Sequence, residues 1–95
     1  MLELGCGTGI CGIVASKVGS NVFLTDKFDC QESIDLCREN IQLNNVNATL
    51  LPLVWGTIDR PLPEVDCIIG SDCFYRKCDF EDLICTVSLL LNNHA

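Results

Sequence analysis

The 95-residue sequence has little positive charge. Six Lys and Arg residues stand against thirteen Asp and Glu residues, which gives a formal net charge of −7. Non-specific nucleic-acid binding depends on basic side chains that neutralise phosphates, so this balance argues against it. An acidic surface suits a basic partner such as a Lys- or Arg-rich peptide, although excess acid more commonly serves solubility alone.

The sequence also lacks the cysteine and histidine spacing of a metal site or a disulfide framework. None of the eight cysteines forms a Cys-x-x-Cys pair, and the single histidine, His94, is the penultimate residue. Most of the cysteines occupy positions typical of a small apolar residue, and free cysteine behaves as a small buried hydrophobe. We therefore expect a reduced intracellular protein without a metal.

Long apolar runs and a visible signal peptide are absent as well. The longest runs, at 67–70 and 88–91, are far shorter than the roughly 20 residues that span a bilayer, so no membrane partner is expected. Glu3 and the glycines interrupt the position of a signal peptide's apolar region. Hydrophobic residues nevertheless make up 48% of the chain. We expect some of this apolar surface to meet a partner, such as further sequence.

The apolar pattern predicts the element order β-α-β-α-β-β-α. Strands are expected at 2–4, 21–26, 48–53 and 66–71, with helices at 8–18, 29–45 and 79–91. Helices alternating with apolar strands predict an α/β fold with a parallel sheet covered on both faces and a doubly wound arrangement. Four strands make only part of a typical doubly wound domain.

Each predicted helix carries an apolar stripe that we expect to be buried, and each has a candidate residue at its start. Thr8 can start the first helix and Asp79 can cap the last, while Asp29 and Glu32 form a capping-box-like start for the second. The stripes consist of Ile10, Cys11, Ile13, Val14 and Val18 in the first helix, of Cys30, Ile34, Cys37 and Ile41 in the second, and of Phe80, Leu83, Ile84, Val87, Leu90 and Leu91 in the third.

A glycine-rich turn joins the first strand to the first helix. Gly5, Gly7 and Gly9 place backbone amides at a helix N-terminus, where the helix dipole favours a negative group. With Gly12 the stretch also satisfies the G-x-G-x-x-G dinucleotide fingerprint. The loop alone therefore leaves three possibilities: a nicotinamide cofactor, S-adenosylmethionine, or a turn without a ligand.

Two acidic residues flank this turn. Asp26 ends the second strand, about twenty residues past the glycines, where a carboxylate can accept both hydroxyls of a ribose. A solvated acid at a strand end is the alternative. Glu3 lies inside an apolar strand, where a charge is costly unless it is paired. In adenosylmethionine sites an acid at this position binds the amino group of the ligand, whereas nicotinamide offers no such cation. Glu3 therefore favours adenosylmethionine.

Aromatic and acidic residues follow the third and fourth strands. Trp55 can lie beside an adenine ring or belong to the core. Asp72 and Tyr75 leave the fourth strand at its carboxyl end, where open α/β sheets bind ligands. Their carboxylate and aromatic ring can hold a substrate amine or guanidinium near a methyl donor.

Taken together, four motifs resemble those of the seven-strand protein methyltransferases of the methyltransferase-like group (family 16). They are LELGCGTG at the start, LTD at 24–26, VWG at 54–56 and DCFY at 72–75. The resemblance implies a partial Rossmann-like class I methyltransferase fold, its N-terminal half only. It also implies that residues 1–95 are one S-adenosylmethionine-binding domain truncated at both ends.

The resemblance further implies S-adenosylmethionine-dependent methylation of a protein side-chain nitrogen in the cytoplasm and nucleus, with histone arginine as the specific candidate. The residues that match the family's cofactor site are Glu3, Gly5, Gly7, Gly9, Asp26 and Trp55, and those that match its catalytic motif are Asp72 and Tyr75.

Two alternatives to an active methyltransferase stay open. Members of the group usually have a segment before the first strand and three strands after the last helix of this sequence. A non-catalytic fragment that acts at most as a partner-binding module is therefore one alternative. A nicotinamide-binding oxidoreductase is the other, and Glu3 with the Asp72-x-x-Tyr75 motif disfavours it.

Overall fold

The computed structural model describes residues 1–27, 31–58, 61–71 and 77–92. Their four strands and three α-helices follow the predicted order. The strands are β1 (Leu2–Leu4), β2 (Phe23–Asp26), β3 (Thr49–Pro52) and β4 (Ile68–Gly70). The helices are α1 (Ile10–Lys17), α2 (Gln31–Leu43) and α3 (Phe80–Asn92), and a 3-10 turn at Lys77–Asp79 precedes α3.

The four strands form one parallel sheet in the order β3-β2-β1-β4. The chain builds outward from β1 to β3 and then crosses to the other side of β1 to form β4. The strand order therefore reverses between β1 and β4, and open α/β sheets bind ligands outside the carboxyl ends of the strands at such a point. The predicted doubly wound α/β fold is confirmed.

The core lies on both faces of the sheet because side chains alternate along each strand. Leu2 and Leu4 of β1 face α3, whereas Leu24 of β2 faces α1 and α2. The cluster on the α3 side consists of Leu2, Leu4, Leu53, Val65, Leu83 and Leu90. The cluster on the other side consists of Cys6, Ile13, Val22, Leu24 and Cys37.

The buried face of α1 differs from the predicted apolar stripe. Ile10, Val14 and Val18 are 70%, 58% and 81% exposed, and Cys11 is exposed as well. Of the predicted stripe, Ile13 alone is buried. The buried residues of α1 are Gly12 and Ile13, and a Cβ on Gly12 would overlap Leu24 Cδ2 of β2. Glycine allows the helix backbone to approach the sheet closely, so the bulky residues lie beside the contact.

The start of α1 also differs from the prediction. Its N-cap is Gly9, with φ 91°, and glycine has no side chain that could cap the helix. Thr8 therefore does not occupy the capping position. An L-residue is strained at this φ, which explains why glycine stands there.

The stripe of α2 is confirmed within the described residues, because Cys37 is fully buried and Ile34 and Ile41 are half-buried. Cys30 and the proposed capping residue Asp29 lie outside those residues.

The prediction of the buried stripe of α3 is partly wrong. Leu83 and Leu90 are buried, but Ile84 and Leu91 are more than half exposed, and the polar Thr86 is buried instead. Leu83, Thr86 and Leu90 share one helical face at i, i+3 and i+7, whereas Ile84 and Leu91 follow a neighbouring row. Asp79 precedes α3 in the 3-10 turn.

The cysteines are less buried than expected. Cys6 and Cys37 are buried free thiols, but four other free thiols are exposed, which corrects the prediction of small apolar positions for them. These four are Cys11, Cys67, Cys78 and Cys85. Cys11 and Cys85 lie on the outer faces of α1 and α3, and Cys67 precedes the edge strand β4. Among the described helices, none is long and apolar enough to cross a membrane.

Replacement of Gly12 by Ala is expected to destabilise the fold. A Cβ there would overlap Leu24 Cδ2 and lie 2.9 Å from Glu3 Oε1. Alanine gains up to about 1 kcal/mol over glycine in a helix, but overpacking costs about 1–3 kcal/mol. Urea unfolding should show a net loss for Gly12→Ala. The neighbouring exposed change Cys11→Ala serves as the control. Equal stability of the two variants would contradict this packing.

Candidate functional site

The glycine loop lies at the carboxyl end of β1, beside the point where the strand order reverses. Gly5, Gly7 and Gly9 have φ values of 63°, 56° and 91°, in the left-handed region that favours glycine. Gly5, Gly7 and Thr8 are exposed. A Cβ at Gly7 would meet nothing within 4 Å. The loop therefore presents bare backbone to open space, as a site for a small ligand requires.

Three hydrogen bonds that the loop's own amides donate help to hold it in this shape. The Cys6 amide donates to the Thr25 carbonyl at 2.9 Å, and the Gly7 amide donates to Asp26 Oδ2 at 2.9 Å. Within the loop, the Gly9 amide donates to the Cys6 carbonyl at 2.8 Å. The loop is thus tied to the end of β2, which brings Asp26 beside it.

Asp26 retains acceptor capacity in this position. Its Oδ2 accepts the Gly7 amide, and its Oδ1 accepts the amide of Lys27 at 2.8 Å. An ionised carboxylate offers about four lone-pair sites. Asp26 can therefore shape the loop and still accept hydrogen bonds from the hydroxyl groups of a ligand.

Glu3 is buried, with 4% of its surface exposed. Its Oε1 accepts a hydrogen bond of 3.0 Å from the amide of Gly12 in the first turn of α1. The first amides of a helix have no partner within the helix, and Gly9 supplies no side-chain cap. Glu3 thus caps α1 from the neighbouring strand, where the positive end of the helix dipole favours its charge. The Glu3 carboxylate in this apolar strand is thus paired with a backbone amide, that of Gly12.

The pKa of Glu3 is raised above its ordinary value. Burial is the main cause, the negative charge of Asp26 adds to it, and the hydrogen bond from Gly12 opposes it. Burial likewise raises the pKa of the Cys6 and Cys37 thiols beneath the loop. Thiols with a raised pKa are poor nucleophiles. Within the described residues, no group of three or more His, Cys, Asp or Glu side chains is arranged to hold a metal ion.

Trp55 lies in a turn that is bound to α3. It is half-buried and packs against the cluster that contains Leu2 and Leu4. The Gly56 amide donates to Thr86 Oγ1 at 2.9 Å. Trp55 therefore contributes to the core, and its contact with an adenine ring stays a prediction.

Sequence reasoning missed two polar residues that support the loop. Thr25 is fully buried, and its Oγ1 donates to the Glu3 carbonyl at 2.6 Å. Asn40 Nδ2 donates to the Thr8 carbonyl at 2.9 Å. A signal for Asn40 was present, because asparagine is unfavourable inside a helix unless its side chain has another role. The buried position of Thr25 had no such signal.

The predicted catalytic residues Asp72 and Tyr75 lie outside the described residues. The segment that carries them follows β4, which pairs with β1 up to Leu4 and Gly70. β4 therefore ends at the same edge of the sheet as β1, where the glycine loop begins.

Comparison with known proteins identifies relatives of this chain. The sequence model of a family described as lysine methyltransferase matches residues 1–95. Histone-arginine methyltransferase METTL23 of Xenopus laevis is 38% identical over 95 residues, which cover 96% of this chain and 41% of that protein. The METTL23 of Homo sapiens is 35% identical, with 99% and 52% covered. Protein N-lysine methyltransferase METTL21A of Mus musculus is 33% identical, with 99% and 45% covered.

The chain thus spans about half the length, or less, of these relatives. Among solved structures, an S-adenosylmethionine-dependent methyltransferase from Clostridium acetobutylicum aligns with a TM-score of 0.76 at 20% identity. The alignment covers 96% of this chain and 36% of that one. A structure from a study of echinomycin biosynthesis aligns with a TM-score of 0.79 at 16% identity, covering 94% and 37%. At these identities the alignments show a shared fold.

The raised pKa of Glu3 predicts a specific pH dependence of stability. Because the folded state binds the Glu3 proton more tightly than the unfolded state, the free energy of unfolding should fall as pH rises from 4.5 through the raised pKa. In Glu3→Gln this contribution should vanish, while the amide oxygen still accepts from Gly12. In Glu3→Ala the free energy of unfolding at neutral pH should be lower by about 1–3 kcal/mol, because the Gly12 amide is left without its partner.

Urea unfolding at a series of pH values above 4.5 measures these effects, with the exposed change Glu64→Gln as the control. An identical pH dependence for wild type and Glu3→Gln would show that the Glu3 carboxyl does not titrate as the structure indicates.

Proposed function

Because this chain belongs to the lysine methyltransferase family, we propose that it forms the S-adenosylmethionine-binding part of a protein methyltransferase. The observation that carries the proposal is the glycine loop at the strand-order reversal, with Glu3 and Asp26 on its two sides. Bare backbone and two carboxylates fit a ligand that combines an ammonium, a carboxylate and a ribose. Family membership also favours this cofactor over the nicotinamide that the loop alone left open.

Each group of the site has a proposed part in holding the cofactor. Amides at the start of α1 favour its carboxylate, and Asp26 accepts from its ribose hydroxyls. The buried charge of Glu3 attracts its ammonium group, directly or through water. Trp55 is the proposed adenine contact. When bound, S-adenosylmethionine supplies an activated methyl group on a sulfonium.

Asp72 and Tyr75 are the proposed catalytic residues. A carboxylate at Asp72 can orient the nucleophilic nitrogen of the substrate and accept the proton that this nitrogen loses. Alignment of two bound reactants is worth about 7–11 kcal/mol of the barrier at best. The chain's main contribution to catalysis is therefore to position the substrate nitrogen and to remove its proton.

The proposed substrate is a side-chain nitrogen of a basic protein, and histone arginine is the specific candidate. METTL23, named for histone arginine, is somewhat more similar to this chain than METTL21A, named for lysine. The net charge of −7 suits a basic peptide. Lysine is the second candidate, because the family's description names it. The cytoplasm and nucleus are the proposed compartments, by resemblance to the family.

Cofactor binding is tested by titration calorimetry with S-adenosylmethionine. Asp26→Ala should weaken binding by about 1–3 kcal/mol, because charge-assisted hydrogen bonds to the ribose are lost. Glu64→Ala is the matched control, since it removes one exposed carboxylate ahead of β4, at the opposite edge of the sheet. Wild-type protein that does not bind the cofactor would refute the proposal, and equal affinity of Asp26→Ala and wild type would remove Asp26 from the site.

The role of Asp72 is tested by substitution with its isosteric amide. Asp72→Asn should lower kcat by roughly 10²–10⁴-fold, the usual contribution of general base catalysis, and leave the cofactor dissociation constant unchanged. Mass spectrometry of histone peptides that carry either arginine or lysine as the sole acceptor measures the rate and identifies the modified residue. A wild-type rate in the Asp72→Asn variant would contradict the proposed role of Asp72 as the general base.

A further inference from the structure

A side chain of α2 contacts the glycine loop from outside the motif. Asn40 Nδ2 donates a hydrogen bond of 2.9 Å to the carbonyl of Thr8, 32 residues earlier in the chain. Thr8 stands between Gly7 and Gly9, whose backbones are left-handed. The loop is therefore attached to α2 as well as to β2.

The contact from Asn40 completes a continuous series of hydrogen bonds through the loop. Asp26 Oδ2 accepts the N–H of Gly7, and the carbonyl of the same peptide unit, that of Cys6, accepts the N–H of Gly9. The carbonyl of the Gly9 peptide unit belongs to Thr8 and accepts from Asn40. Two peptide units are thus bonded at both ends, and bonds connected in this way strengthen one another.

This series restricts the part of the loop that faces open space. The peptide unit between Gly7 and Thr8 lies between the two that are bonded at both ends. Rotation of either flanking peptide would break two hydrogen bonds at once. The direction of the Thr8 N–H therefore depends on both ends of the series, namely Asp26 and Asn40. Glycines make the loop shape accessible, but they do not by themselves hold it there.

We propose that Asn40 is a positioning residue for the cofactor. It holds the Thr8 carbonyl, and thereby keeps the loop amides in the orientation that the cofactor's carboxylate requires. The proposal rests on the proposed function, since it concerns the same site. It adds a residue on α2 that neither the glycine motif nor the acidic residues contain.

The chain offers a matched control for this residue. Asn44 lies one helical turn beyond Asn40, and its Nδ2 donates to the backbone carbonyl of Asn40 at 2.8 Å. Asn44→Leu therefore removes the same side-chain amide next to the end of α2 without touching the loop. Asn40→Leu removes the donor to Thr8, and the isosteric Asn40→Asp places an acceptor opposite the Thr8 carbonyl.

The first measurement is amide hydrogen exchange by NMR in the absence of cofactor. Asn40→Leu should accelerate exchange of the Gly7 and Gly9 amides by about two- to tenfold, the factor that corresponds to the net contribution of one hydrogen bond. Asn40→Asp should accelerate the exchange more. Asn44→Leu should leave both amides at the wild-type rate. Wild-type exchange at both amides in Asn40→Leu, or the same acceleration in Asn44→Leu, would overturn the proposal.

The second measurement is the affinity for S-adenosylmethionine by calorimetry. Asn40→Leu should raise the dissociation constant about two- to tenfold, with no change in Asn44→Leu and with similar melting temperatures of the two variants. An unchanged dissociation constant in Asn40→Leu would overturn the positioning role. Failure of the wild-type protein to bind the cofactor would instead refute the proposed function, while hydrogen exchange still decides whether Asn40 holds the loop.

Discussion

The hydrogen bond between the Glu3 carboxylate and the Gly12 amide joins the strand to the helix that follows it. The carboxylate is buried and accepts a helix amide that Gly9 leaves uncapped. The bond requires α1 to lie close to the sheet, and this is possible because Gly12 has no Cβ to overlap Leu24. The position of α1 then determines where the loop between strand and helix begins and ends.

The loop itself depends on contacts from both neighbouring elements. Asp26 at the end of β2 accepts one of its amides, and Asn40 of α2 donates to one of its carbonyls. Left-handed glycines make the turn possible, and these polar side chains select one arrangement of its peptide units. Asp26 and Glu3, the two carboxylates proposed to bind the cofactor, therefore also shape its site, Asp26 through Gly7 and Glu3 through Gly12. Loss of either would change structure and affinity together.

The order of the elements along the chain and the glycine loop were predictable because they depend on local patterns. Short apolar runs between turn residues identify strands, and alternation with helices predicts a parallel sheet. The buried face of α1 was not predictable in this way, since it is formed by Gly12 and Ile13 while Val14 and Val18 stay exposed. Periodicity identifies an apolar face, but it does not show that a helix packs through its backbone. Thr86 also escaped prediction. Its hydroxyl donates to the carbonyl of Asp82 one helical turn earlier and accepts from the amide of Gly56, which is 30 residues away in the chain.

By itself, the sequence determined the fold class, the position of the glycine turn and the family, because these follow from neighbouring residues and from motifs a few residues long. The tertiary structure decided the partner of each polar group. It paired Glu3 with Gly12 and Asn40 with Thr8, and it assigned part of Trp55 to the core. Glu3 and Gly12 are nine residues apart and Asn40 and Thr8 are 32 residues apart, so each pair joins two different elements of the fold. Their geometry depends on how helices pack on the sheet, which no local pattern records.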